Sequence, residues 1–189
     1  MELMEGIKTR RSIRKYKSEE LPRELIDEIL EDALWAPSAM NTQTWKILVF
    51  SGEKQKAFNK VVEDAVNHIN ARLKKLFNEG MQKRVHGFFK GLGGAPHTIV
   101  VLTARADDPK LQVTEIENGC ALLYNVCLSA HARGIGTCWM SAPVWIEDTV
   151  LEYLGMQDDW KLVGITPMGH PDQNPPVPPR KGKPIEWFD

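Results

Sequence analysis

Along this chain, apolar residues recur at helical spacing in some stretches and as short β-branched runs in others. Over Pro22 to Leu34, the residues Leu25, Ile26, Ile29, Leu30, Ala33 and Leu34 form one stripe, opposite Glu24, Asp27, Glu28, Glu31 and Asp32. That is the pattern of an amphipathic helix with one buried face. Pro22 suits its first turn, and Pro37 disfavours helix through Ala36. Trp45 to Phe50 is an apolar run ended by Ser51-Gly52, a predicted strand. From Glu53 to about Asn78, the positions Phe58, Val61, Ala65, Ile69, Leu73 and Leu76 predict one long amphipathic helix, broken by Gly80. Met81 to Leu92 predicts a second helical piece, stopped by Gly93-Gly94, and His97 to Thr103 a buried strand. Gln112 to Arg133 predicts a helix whose stretch Cys120 to Ala130 is apolar on nearly every side, so it must be covered all round. A second subunit could supply part of that cover. Ile135 to Met140 reads as a short strand, Glu147 to Leu154 as a short helix and Lys161 to Gly169 as a strand. Strands separated by helices fit a layered α/β or α+β sheet.

Beyond Gly169 the pattern changes. Pro171, Pro175, Pro176, Pro178, Pro179 and Pro184 fall within fourteen residues. Such a segment cannot join a helix and tends to polyproline II, which at ~3.1 Å per residue could reach roughly 40 Å. It ends on Ile185, Trp187 and Phe188, side chains too apolar to leave in water. It reads as an arm that docks on a partner subunit or folds back on its own domain.

Composition narrows the class. The 189 residues carry 24 Lys and Arg against 25 Asp and Glu, with 42% hydrophobic residues, the balance of one globular domain. A net charge of −1 argues against coating a nucleic acid by bulk charge. The three cysteines, Cys120, Cys127 and Cys138, form no CxxC pair, and Met1 to Arg14 has no signal-peptide core, so a reducing cytoplasm is the expectation. No apolar run approaches the ~18 residues of a membrane span.

The search for self-contained catalytic or metal motifs comes back empty. Gly91-Leu92-Gly93-Gly94-Ala95-Pro96 lacks the third glycine of a dinucleotide fingerprint and precedes a strand. Cys127 and His131 stand i, i+4, but no third metal ligand is near them in sequence. Three weaker signals remain. Lys8, Arg10, Arg11, Arg14, Lys15 and Lys17 place six cations in ten residues with no acid between them. With Ser12 among them, Arg forks and a hydroxyl suit a phosphate monoester, and pairing with the acids of Glu19 to Asp32 is the plainer explanation. Pro37-Ser38-Ala39-Met40-Asn41-Thr42-Gln43-Thr44-Trp45 is a loop whose amides offer donors and acceptors suited to a heterocycle edge, or an ordinary helix-to-strand turn. Arg180-Lys181, with Lys183 close by, is a second basic point after the proline arm, or a solubilising tail.

Taken in this order, the three signals resemble the nitroreductase family of FMN-dependent oxidoreductases. The resemblance rests on Arg10-Arg11-Ser12-Ile13-Arg14, on Ala36 to Trp45, on Gly134-Ile135-Gly136-Thr137-Cys138-Trp139, and on Gly169-His170-Pro171 followed by Pro179-Arg180-Lys181. It implies an α+β fold, a three-layer α/β/α sandwich with a mixed, mainly antiparallel central sheet, in a domain-intertwined homodimer. Residues 1–170 would form the FMN-binding domain and 171–189 an arm embracing the partner. The implied cofactor is FMN, with NADH or NADPH as co-substrate. By this resemblance, Arg10 and Ser12 hold the phosphate, joined by Arg180 and Lys181. Arg11 belongs to the same cofactor-binding stretch, and Arg14 sits near the pyrimidine edge. Pro37, Ser38, Ala39, Asn41 and Gln43 reach the FMN of the other subunit. Thr137, Cys138 and Trp139 lie against the isoalloxazine, and Gly169 allows close backbone approach. Thr137-Cys138-Trp139-Met140 stands where larger relatives carry a Pro-Ile-Glu-Gly stretch.

The implied reaction is a ping-pong transfer of hydride from NAD(P)H through flavin N5 to a nitroaromatic, quinone or related acceptor. The flavin carries the chemistry, so no catalytic side chain and no metal is expected. The segment Gly80 to Leu92 is a candidate pocket wall. The competing readings are another chemistry on the same scaffold, such as reductive dehalogenation or flavin fragmentation, and a flavin-binding or regulatory protein. A nucleic-acid binder using Lys8 to Lys17 is disfavoured by net charge and by having Tyr16 as its lone aromatic platform.

Overall fold

The computed structural model describes residues 1–182 and 184–188. Lys183 and Asp189, the last residue of the arm, lie outside the described residues. Four strands form one sheet in the order β1-β2-β4-β3: β1 (Trp45–Ser51), β2 (His97–Ala104), β3 (Gly136–Thr137) and β4 (Trp160–Gly169). Every pairing among them is antiparallel, with Leu48 opposite Val100 and Val100 opposite Ile165. Ser12 adds a parallel bridge to Thr137 at the β3 edge, which makes the sheet mixed.

Alternation across β2 decides the layering. Val100 and Leu102 point into one core with Phe58, Val62, Phe88, Val150 and Leu151, while Ile99 and Val101 point into the other with Ile29, Leu122, Leu123 and Val126. The first core lies under α3 (Gly52–Glu63), α4 (Ala65–His68), α5 (Asn70–Leu76), α6 (Glu79–Phe89) and α8 (Glu147–Leu154). The second lies under α2 (Arg23–Ala33) and α7 (Pro109–Ala132). The result is the three-layer α/β/α sandwich. Fully buried Ile29 is one pin of the α2 layer, and Ile29→Ala would cost about 2–5 kcal/mol.

Several elements differ from their sequence expectation. The long helix from Glu53 to Asn78 is three helices. Asp64 accepts the Asn67 side-chain amide at 2.6 Å, its carbonyl accepts the Asn67 N–H at 2.9 Å, and Ile69 leaves helical geometry at φ −103°, ψ 2°. Short polar side chains that bond locally compete with the helix ladder. Gly80 is not the breaker: it lies inside α6, whose start is fixed by Asn78 accepting the Met81 N–H at 2.9 Å. α7 begins before Gln112, because Asp108 accepts the Lys110 and Leu111 N–H groups and Pro109 takes the first turn. The strand expected over Ile135 to Met140 shrinks to Gly136–Thr137 plus a bridge from Met140 to Ile165. A helix not expected from the sequence, α1 (Leu3–Thr9), leads into the basic run.

α7 is covered mainly by its own chain. The sheet and α2 bury Leu122, Leu123, Val126 and Ala130, leaving a stripe of Ala121, Tyr124 and Leu128 half-buried or exposed. The arm does not fold back as a buried element: Ile185, Trp187 (82%) and Phe188 (92%) are exposed. Among the described residues, no helix is long and apolar enough to cross a membrane.

Candidate functional site

The basic run leaves α1 at Arg10, whose N–H caps the helix on the Gly6 carbonyl at 3.0 Å. From there the chain joins the sheet edge. Ile13 N–H donates to Thr137 O at 2.9 Å, Tyr16 N–H to Gly93 O at 3.0 Å and Lys17 N–H to His170 O at 2.9 Å. Gly136 permits this docking, since a Cβ there would stand 3.0 Å from three carbons of Ile13. The basic residues are thereby held against the turn that carries Thr137, Cys138 and Trp139.

The acids of α2 do not neutralise the run. Glu28 and Asp32 pair with Arg133 instead, and Asp32 is held below the usual carboxylate range by hydrogen bonds from Ser129 and Arg133. Lys15 pairs with Asp172 at 2.5 Å. Among the described residues, no ion pair engages Lys8, Arg10, Arg11, Arg14 or Lys17. Arg11 turns its guanidinium back onto the carbonyls of Lys8 (2.8 Å) and Arg10 (2.7 Å), closing the end of α1. Arg10 is different. Its Nε is the one buried side-chain polar atom without a hydrogen-bond partner among the described residues. Leaving a buried charged donor unpaired is costly, so such an atom calls for an acceptor. In the same region, burial pushes the Cys127 thiol up, opposed by the Thr137 side chain and then the charge of Arg10, and pushes the Cys138 thiol up, opposed by Arg14, the Ser12 hydroxyl and then Arg10. Burial, then Arg10 and Arg11, lower the His131 pKa, and the His131 ring shares a 2.9 Å hydrogen bond with Thr9. His131 thus turns to Thr9, while the Cys127 thiol faces the Thr137 and Thr166 side chains.

The donor set is cationic, partly buried and next to a hydroxyl, which is the chemistry that receives a phosphate. Thr137 and Cys138 are themselves buried, the Cys138 N–H donating to Thr166 Oγ1 at 3.1 Å. Trp139 stays half-buried, its Nε1 lying over Gly164, where a Cβ would come within 2.9 Å. Around Gly169, Pro96 and Tyr16 of the same chain already make the close approach, at 2.6 and 3.4 Å from a Cβ built there.

The loop Pro37 to Trp45 is anchored on α7. Ala39–Asn41 forms a single 3₁₀ turn. Four non-glycine residues have positive φ among the described residues, and three of them are here: Met40 (50°), Asn41 (55°) and Gln43 (49°). Left-handed backbone costs such residues about 1–2 kcal/mol each, so the loop is held against its preference. Two residues of α7 absent from the sequence reading do part of the holding. Asn118 Oδ1 accepts the Ala39 N–H at 2.9 Å, and Glu115 Oε2 accepts the Thr44 hydroxyl. No local pattern marks them, because their partners lie 79 and 71 residues away in sequence. Among the described residues, no hydrogen bond or ion pair joins residues 37–43 to Arg10, Ser12, Arg14 or Trp139. Arg180 and Lys181 are exposed and make no such contact with Arg10 or Ser12 either. One chain therefore gathers Arg10, Ser12, Arg14 and Thr137 to Trp139 at the β3 edge, and ties neither the loop nor the second basic point to them by a hydrogen bond or ion pair among the described residues.

The sequence model of the Nitroreductase family matches residues 7–170. The chain belongs to that family, and is an oxidoreductase of its kind. It is 29% identical over 178 residues to a protein of Bacillus subtilis (strain 168) provisionally named NAD(P)H nitroreductase YfhC, covering 94% of this chain and 89% of that one. It is 28% identical over 178 residues to the iodotyrosine deiodinase of Thermotoga neapolitana, covering 92% and 90%. Among solved structures, a point mutant of the FMN- and NADPH-dependent nitroreductase NfnB from sphigopyxis sp. strain HMH superposes with a TM-score of 0.79 at 25% identity, over 99% of both chains.

Proposed function

We propose that this protein is an FMN-dependent NAD(P)H oxidoreductase that works as a homodimer with each flavin site completed by both chains. The observation that carries the reading is Arg10: a buried guanidinium Nε without a partner, two residues from the Ser12 hydroxyl in the chain, in a family whose relatives include an FMN- and NADPH-dependent nitroreductase. Bound FMN would supply the redox chemistry, taking hydride from NADH or NADPH at N5 and passing electrons to a nitroaromatic, quinone or related acceptor in a ping-pong cycle.

The chain's own residues bind and orient. Arg10 and Ser12 hold the phosphate, and Arg180 and Lys181 reach it along the extended arm, residues 171–189, from the domain formed by 1–170. Arg14 places a cation at the pyrimidine edge, where it favours the reduced flavin. Arg11 orients this stretch by closing α1 behind it. Pro37, Ser38, Ala39, Asn41 and Gln43 serve the flavin of the partner, in keeping with their making no hydrogen bond or ion pair to Arg10 or Ser12 within one chain. Thr137 and Cys138 form the wall behind the ring, with Trp139 at its margin and Gly169 behind Tyr16. The exposed stripe of α7 and the apolar end of the arm are the faces that the partner covers.

Anaerobic mixing with NADH and with NADPH tests the enzyme reading: at least one should bleach the bound flavin. Failure of both would favour a binding or regulatory role. Turnover with an iodinated phenol but not with nitroaromatics or quinones would move the acceptor toward the chemistry named for the Thermotoga neapolitana relative.

A further inference from the structure

We propose that Glu115 and Asn118 are positioning residues for the flavin site, holding the 38–44 loop in the shape it presents to the partner. This rests on the reading above, because it assumes that the loop reaches a flavin. The two residues stand one helical turn apart on α7 and are both buried, at 6% exposure each. Asn118 uses both ends of its amide: Oδ1 accepts the Ala39 N–H at 2.9 Å, and Nδ2 donates to Glu115 Oε2 at 3.4 Å. The same Oε2 accepts from the Thr44 hydroxyl, and the Thr103 hydroxyl of β2 stands 3.5 Å away with its one proton shared between this oxygen and the Thr44 carbonyl at 3.3 Å.

One carboxylate oxygen thus gathers donors from the loop, the central strand and its own helix. A carboxylate oxygen suits this, since it offers two lone pairs to donors arriving from different elements. Ala39 begins the 3₁₀ turn and Thr44 ends the loop, so one turn of α7 pins both ends. Between them, Ser38 Oγ accepts the Gln43 N–H at 3.1 Å and Asn41 Oδ1 accepts the Gln43 amide at 2.9 Å. Met40, Asn41 and Gln43 are exposed, so packing does little to hold their left-handed backbone. The constraint comes from the pinned ends.

The test uses the full-length protein and three readouts: FMN affinity by fluorescence quenching, the thermal midpoint of the FMN-free protein, and amide exchange at Ala39 and Gln43 in that FMN-free protein. Asn118→Leu should speed exchange at both amides and weaken FMN about tenfold, the effect expected of one unpaired buried group. The thermal midpoint should move far less than a core truncation would move it. Asn118→Asp keeps the acceptor for Ala39 but replaces the Nδ2–H donor with a second carboxylate facing Glu115, so it should recover only part of the affinity. Ala39→Pro removes the same hydrogen bond from the loop side without touching the helix, and should weaken FMN likewise if Asn118→Leu does not fold. Wild-type affinity in folded Asn118→Leu or folded Ala39→Pro, or unchanged exchange in Asn118→Leu, overturns the proposal. A wild-type protein that binds no FMN overturns the functional reading instead, and amide exchange then still decides whether Glu115 and Asn118 hold the loop.

Discussion

Gly93 lies directly against the backbone of Arg14. A Cβ built on Gly93 would stand 2.2 Å from the Arg14 carbonyl oxygen, and the Gly93 carbonyl accepts the Tyr16 N–H at 3.0 Å. Its φ of +70° adds a second reason for glycine. The turn before β2 therefore sets the path of the basic run. Gly93→Ala should force that run off the sheet edge, lowering stability by more than about 3 kcal/mol and abolishing FMN retention. Urea unfolding and flavin absorbance after dialysis check both, and a variant with a wild-type midpoint contradicts the packing argument.

Arg10 should be the residue most sensitive to charge and shape together. Arg10→Ala removes the buried Nε and its charge, and should raise the FMN dissociation constant about tenfold or more. Arg10→Lys restores a point charge without the fork and should recover part of the loss. Fluorescence titration of the flavin-free protein gives both values. Unchanged affinity in Arg10→Ala refutes the phosphate role.

Gly164 sets the place of Trp139. A Cβ there would meet Trp139 Nε1 at 2.9 Å, the Met140 carbonyl at 3.0 Å and Leu123 at 3.2 Å. Gly164→Ala should cost about 1–3 kcal/mol by overpacking and should turn the indole outward. A red-shifted tryptophan emission and an altered visible circular dichroism of the bound flavin are the signatures to look for.

Acid should destabilise the fold first through histidine. His97 Nε2 accepts the Leu21 N–H at 3.0 Å, so Nδ1 carries the proton and donates to Ser51 at 2.6 Å. Burial lowers the His97 pKa, and burial with Arg10 and Arg11 lowers that of His131. A depressed histidine stays neutral in the native state while the unfolded chain protonates. Its stabilisation is therefore present above the unfolded value of about 6.5 and is lost as pH falls from there through the folded value. Asp32, also depressed, acts in a separate window, keeping its contribution until pH falls below the ordinary carboxylate range. Urea midpoints across this range should decline below about pH 6.5, and His97→Gln, which keeps an acceptor for Leu21, should reduce the slope.

Much of this was legible where one periodicity governed a segment. The stripe of α2 and the bounds of α8 follow from local apolar spacing alone, and the β2 run ends within one residue of its strand. The break of the long helix was missed because Asp64 and Asn67 act through local side-chain bonds that an apolar pattern does not register. α1 was missed because its short apolar face, Leu3, Met4 and Ile7, stays exposed within one chain. At the site, Arg10 and Ser12 were legible through charge and hydroxyl chemistry together. Glu115 and Asn118 were not, because a carboxylate and an amide on an amphipathic helix look like surface residues until the sheet brings Thr44 and Thr103 to them.

The central claim is that two chains complete each FMN site, and flavin content measured against oligomeric state tests it most directly. Purified protein should keep stoichiometric FMN through dialysis and sediment as a dimer. A chain truncated after Pro171 should lose both properties. A colourless protein that takes up no FMN, or a monomer fully loaded with it, would contradict the account.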